Sequence, residues 1–243
     1  MTGSYLEVQI GGWIARPIIA FRKYVFSDIL PAFGNLDERA RQMESDYYNR
    51  VLAQPVGESG DDVDMASVAE SAEARSLSWY EMMNSLRQTM LNLLAAGLFH
   101  LAEQQLAALS RDASFSGILL KDSKMEKVAD WYLAHLHLDF KTLTSWAMMN
   151  ELRLVANAVK HGEGSAEKQL RSMRAELFSN PAHAEFYKEV GVEPLMGPVV
   201  APLSGEDLFV SEKLLHLYAQ AAESFFAEIA EHFKVHGYDF YPY

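Results

Sequence analysis

The feature that most constrains this chain is an apolar series near its C-terminus: Leu208, Leu215, Tyr218, Ala222, Phe225, Ile229 and Phe233. Steps of three, four and seven residues put every member on one face of an α-helix, whereas a strand would scatter them over both of its faces. Two further segments repeat the pattern. Met83, Leu86, Met90, Leu93, Leu94, Gly97, Leu98 and Leu101 share a stripe within 66–109, and Ser145, Met148, Met149, Leu152, Val155, Ala156 and Val159 share one within 143–161. Helices that are apolar on one side must bury that side against each other, so the expected fold class is an all-α helical bundle.

The punctuation between these segments sets the expected boundaries. Residues 5–10 alternate loosely, as a short strand would, and Gly11-Gly12 ends them; Pro17 suits the first turn of a helix that Pro31 closes. Asn35 and Glu38 have capping-box spacing ahead of a helix to about Leu52. Residues 54–64 are acidic and rich in turn formers, and read as a surface linker. A break is expected near Ser76–Ser78. Ser123 with Glu126 opens a helix through Leu138, with a break at 139–142. Gly162 stops the 143–161 helix, and a shorter helix follows over 165–178. Residues 190–205 are a Pro/Gly-rich crossover, after which Ser204 and Asp207 cap the last helix and Gly237 ends it. The expected organisation is an N-terminal helical extension and linker over 1–64 and a bundle domain over 65–243, with a single domain over 1–243 as the alternative.

Composition narrows the function classes. Of 243 residues 49% are hydrophobic, enough for a sizeable core, and cysteine is absent. Disulfides, thiolate metal sites and cysteine nucleophiles are therefore excluded, and a reducing, cytoplasmic setting is expected. The N-terminal MTGSYLEVQIGG lacks a basic run followed by an apolar one, so no secretory leader is expected. The apolar stretch 13–30 is interrupted by Arg16, Arg22, Lys23 and Asp28, which makes it a poor membrane span. A net charge of −12 repels nucleic acid on average, so any contact with it needs a local basic patch.

Such a patch exists. Arg153, Asn157 and His161 stand four residues apart and form one row along the 143–161 helix. Arginine holds phosphate bidentately, histidine moves a proton near neutral pH, and asparagine orients a hydroxyl or the imidazole. From Arg153 to Arg174 five basic residues (Arg153, Lys160, Lys168, Arg171 and Arg174) face two acids, Glu163 and Glu167. Arg153, Asn157 and His161 are the candidate catalytic residues; Lys160, Lys168, Arg171 and Arg174 are the candidate phosphate or RNA contacts. The same residues also fit an ordinary solvated helix face ending in dipole-compatible cations.

The segment NELRLVANAVKHGEG (150–164) resembles the signature region of HEPN-superfamily proteins. Asn157-x-x-Lys160-His161-Gly162 is the local match; Ala156 occupies the position where the family places arginine, and Arg153 is the nearest arginine on that face. The resemblance implies a helical bundle that cleaves RNA through a 2′-hydroxyl attack without a metal or cofactor. His161 would be the general acid/base, Arg153 the charge stabiliser and Asn157 the positioning group. It also implies a homodimer and a place in a defence or toxin-type system, with an antitoxin or defence component as protein partner. The alternative, prompted by Ala156, is a catalytically inactive bundle acting by partner binding. A ligand- or metal-binding bundle without an RNA role is the third.

Other constellations carry less. His135 and His137 point apart on a helix. His100 with Glu103 could be half of a carboxylate metal site, but no Glu-x-x-His exists to complete it, and a half-buried histidine bonded to its neighbour is the plainer reading. His232 and His236 form an i, i+4 pair without a third ligand. P-loop, GxGxxG and GxSxG motifs are missing.

Overall fold

The computed structural model describes residues 10–53, 64–111, 120, 122–192, 197–203 and 205–236. Its helices are α1 (Arg16–Tyr24), α2 (Leu36–Leu52), α3 (Met65–Arg111), α4 (Met125–Leu136), α5 (Trp146–His161), α6 (Ser165–Met173), α7 (Ala184–Val190) and α8 (Glu212–His236). No strand occurs among the described residues. The all-α bundle expected from the apolar periods is therefore the observed class. The strand expected at 5–10 lies outside the described residues except for Ile10, which belongs to a π-helical turn, Ile10–Ile14. Gly237 and most of the acidic 54–64 segment also lie outside them.

The core forms where the second half of α3 meets α4, α5 and α8. Leu98, Ala102 and Leu106 of α3, Val128 and Tyr132 of α4, and Leu152, Val155 and Ala156 of α5 are fully enclosed. The α8 stripe from Leu215 to Phe233 closes the bundle. Phe140, just before α5, lies 5.0 Å from both the Tyr132 and the Phe225 rings. Each such large side chain removed from water contributes roughly 1.5–3 kcal/mol, which is why the period so strongly dictates the fold. Ile14, Ile18, Val25 and Leu30 join the same core from the N-terminal side.

The first half of α3 behaves differently. It pairs with α2 in an antiparallel arm whose buried apolar residues, Leu36, Ala40 and Ala72, stand outside the main core cluster. Arg39 lies over the Trp79 ring and Arg75 over Tyr47, at 5.1 and 4.6 Å. The break expected near Ser76–Ser78 does not occur. Ser76 is buried beside Ala40, where a small side chain lets α2 approach, so the helix continues unbroken for 47 residues.

The caps also differ from the boxes expected. Asn35 adopts a left-handed conformation, φ 53°, and its side chain makes no capping bond. At α4 the Lys124 and Met125 amides donate to Asp122 Oδ1 and Glu103 Oε1, at 3.0 and 2.7 Å. The last helix starts at Glu212, where Ser211 Oγ accepts from the Leu214 amide. Asp207 instead receives the Val200 and Ala201 amides and folds the crossover on itself; Ser204 lies outside the described residues. Leu208 is buried but precedes α8.

Two fixtures hold the irregular crossover to the bundle. Asn92, fully buried on α3, donates through Nδ2 to the Pro202 and Leu208 carbonyls, both at 2.8 Å. Its Oδ1 accepts from the Val210 amide and from Gln88. Gly162, after α5, has φ 67°, and a Cβ there would stand 2.7 Å from the Val199 carbonyl oxygen. Elsewhere in the bundle, the buried Glu151 carboxylate of α5 accepts from Tyr218 Oη at 2.7 Å and pairs with Arg174. Burial, reinforced by that hydrogen bond, pushes the Tyr218 phenol well above its ordinary range. No described helix is long and apolar enough to cross a membrane.

Candidate functional site

Helix α5 has a core face and a cleft edge. Leu152, Val155, Ala156, Ala158 and Val159 are buried, while Arg153, Asn157, Lys160 and His161 emerge along one side. All four line a cleft of about 250 Å³. Its other walls are Phe99, His100 and Glu103 of α3 and the start of α4, Lys124 to Glu126. A second cavity of about 400 Å³ adjoins it, sharing Glu126, Arg153, Asn157 and His161 and continuing past Gly162 to Gly164, Ser165 and Gln169. The row read from four-residue spacing is thus common to two contiguous hollows.

Arg153 is oriented from two sides. Its Nε donates to Asn150 Oδ1 at 3.1 Å, one turn earlier on α5. Its Nη1 stands 3.6 Å from Glu126 Oε1, a loose pair with an exposed carboxylate, and such pairs contribute little in water. His161 is the last residue of α5 and is exposed; Gly162 turns the chain there, so the start of α6 forms a wall of the second cavity. First-turn amides of a helix lack partners within it and favour anions. The first cleft carries the cations Lys124, Arg153 and Lys160 against the carboxylates Glu103 and Glu126, a local surplus opposite in sign to the whole chain.

The remaining expected contacts are placed elsewhere. Lys168 is exposed and, like Arg171 and Arg174, lines neither cavity. Arg171 pairs with Glu167 at 2.6 Å, donates to the Gly197 carbonyl at 3.0 Å and lies 4.2 Å over the Phe178 ring. Arg174 pairs with Glu151 and Glu176, and its hydrogen bond holds the Glu176 carboxyl below the ordinary carboxylate range, against the smaller opposing effect of burial. These two guanidiniums tie α6 and its following turn to α5 and the crossover.

Ala156 is fully buried, so an arginine at that position would point into the core and strand a charge there. On this helix the cleft's guanidinium comes from Arg153 instead. The residues that local sequence patterns did not connect with the row are His100 and Glu103. His100 Nδ1 meets Glu103 Oε2 at 3.3 Å, while Glu103 Oε1 receives the Met125 amide. Their i, i+3 spacing signals a bonded pair, yet nothing local signals that α3 faces the same cleft as α5. Among the described residues, no group of three histidine, aspartate or glutamate side chains is placed to hold a metal ion.

The cleft therefore offers a guanidinium, two ammonium groups, a side-chain amide and two imidazoles around one small volume, a set suited to holding a phosphate and moving protons beside it. No family model, no curated protein and no solved structure matches the chain.

Proposed function

We propose that this protein is a HEPN-like ribonuclease that binds RNA in the Arg153–His161 cleft and cleaves it by internal transesterification. The observation that carries the reading is that Arg153, Asn157, Lys160 and His161 all line one cleft. The RNA 2′-oxygen forms a bond to the adjacent phosphorus, the bond from phosphorus to the 5′-oxygen breaks, and the leaving oxygen takes a proton. Arg153 and Lys160 stabilise the charge that builds on the phosphorane, Asn157 orients the reacting groups, and His161 transfers a proton. The products are a 2′,3′-cyclic phosphate and a 5′-hydroxyl. A homodimer bringing two such clefts together, acting in a defence or toxin-type system, belongs to the same proposal.

A second reading has one observation in its favour: Arg153 already faces a carboxylate, Glu126 at 3.6 Å, as suits a bundle that binds a protein partner and cleaves nothing. Incubation of the purified protein with single-stranded RNA in EDTA separates the two. Fragments ending in cyclic phosphate, lost in His161→Ala, support cleavage. Intact RNA with the wild-type protein overturns it.

A further inference from the structure

The α3 side of the cleft carries a second imidazole, held in a way that assigns it a task. A carboxylate accepts hydrogen bonds and does not donate them, so the 3.3 Å contact between His100 Nδ1 and Glu103 places the ring proton on Nδ1. Glu103 cannot swing away, because its other oxygen receives the Met125 amide at 2.7 Å. An anchored carboxylate on one ring nitrogen fixes the tautomer and the ring's orientation and leaves the other nitrogen free of a proton in the neutral ring. His100 keeps Nε2 as that nitrogen. His100 shares the cleft with Glu103 on α3, Lys124 and Glu126 at the start of α4, and Arg153, Lys160 and His161 on α5.

We infer that His100 is the general base of this cleft, taking the 2′-hydroxyl proton on Nε2 while His161 gives its proton to the departing 5′-oxygen. The inference rests on the RNA-cleaving reading and deepens it, dividing between two histidines the proton transfers otherwise left to one. The proton balance closes: as the 2′-oxygen bonds to phosphorus its proton passes to His100, and as the bond to the 5′-oxygen breaks His161 supplies the replacement. Glu103 is a positioning residue that acts through the His100 ring.

The test compares the full-length wild type with His100→Gln, Glu103→Gln and His161→Gln. RNA cleavage in EDTA is followed from acid to alkaline pH, with thermal melting as the folding control. The wild type should give a bell-shaped kcat profile. His100→Gln should lower kcat by about 10²–10⁴ and abolish the fall on the acid side. Glu103→Gln, whose amide oxygen can still accept from Met125, should lower kcat by roughly 10–100-fold with little change in KM. His161→Gln should remove the fall on the alkaline side. Histidine nitrogen NMR of the wild type at alkaline pH reads the tautomer directly and needs no variant to fold; it should show His100 protonated on Nδ1. A His100→Gln protein that cleaves within about threefold of wild type with both limbs intact overturns the assignment while the ribonuclease reading stands. A wild-type His100 protonated on Nε2 overturns it equally. A wild type that leaves RNA intact ends the reading and the assignment together.

Discussion

Replacing Asn92 by alanine should be among the most damaging single changes outside the cleft. The side chain is fully buried and bonds three backbone groups of the crossover, the Pro202 and Leu208 carbonyls and the Val210 amide, along with Gln88. Gln88 also donates to the Val210 carbonyl and keeps that contact. Among the described residues the three backbone groups have no such reserve. Each costs about 1–3 kcal/mol when left buried without a partner. Water entering the vacated volume would recover part of this, so a net loss of about 3–5 kcal/mol is expected. For a chain of this length about 1 kcal/mol corresponds to 2–4 °C, which gives a fall in Tm of roughly 6–20 °C. Equilibrium urea denaturation with matched m-values is the measurement, since an altered slope would signal a changed denatured state instead. Asn92→Asp sharpens it. The carboxylate keeps both acceptor roles but faces two carbonyls in place of donating to them, so it should cost at least as much as alanine. A loss below about 1 kcal/mol for Asn92→Ala would refute the claim that this amide holds the crossover.

Two further outcomes follow from the same geometry. Gly162→Ala forces a side chain to φ 67° and 2.7 Å from the Val199 carbonyl oxygen, so it should destabilise by about 1–3 kcal/mol and loosen the turn beside His161, read as lower stability and raised KM for RNA. Glu126→Gln removes the carboxylate nearest Arg153 and should tighten binding of inorganic phosphate by roughly 2–10-fold at low salt, with the gain shrinking as salt is added; unchanged affinity would show that the pair does not compete with anions.

Much of the fold could be read from apolar spacing because burial is the dominant favourable contribution and the α-helix repeats it regularly. The α8 stripe, the α5 core face and the stop at Gly162 all correspond to observed structure. What failed did so for identifiable reasons. The stripe expected from Met83 to Leu101 leaves Leu86 and Leu93 exposed, and the buried face of α3 runs instead through Leu91, Ala95, Leu98 and Ala102, where alanines let the neighbouring helices approach. Ser76 looked like a break because small polar residues are weak helix formers, but contact with α2 overrides that preference. The capping boxes at Asn35 and Ser123 matched in spacing only, and at α4 a distant carboxylate, Glu103, supplied the cap. Arg171 and Arg174 read as available charge because the window 153–174 holds only two acids, whereas Glu176 lies just beyond it and Glu151, twenty-three positions upstream of Arg174, reaches that guanidinium through the fold. For the cleft, four-residue spacing identified one wall. The facing wall comes from a helix about fifty residues earlier, and no local pattern encodes that meeting.

The unbroken α3 has a mechanical consequence. At 1.5 Å per residue it is a rod roughly 70 Å long. It contains no proline and a single glycine, Gly97, so it lacks the usual causes of a sharp kink. The outer end of this beam lies in the arm with α2, while the inner end presents Phe99, His100 and Glu103 to the cleft. Along this shaft no proline and no loop intervenes between the arm gripped by α2 and the turn that carries His100.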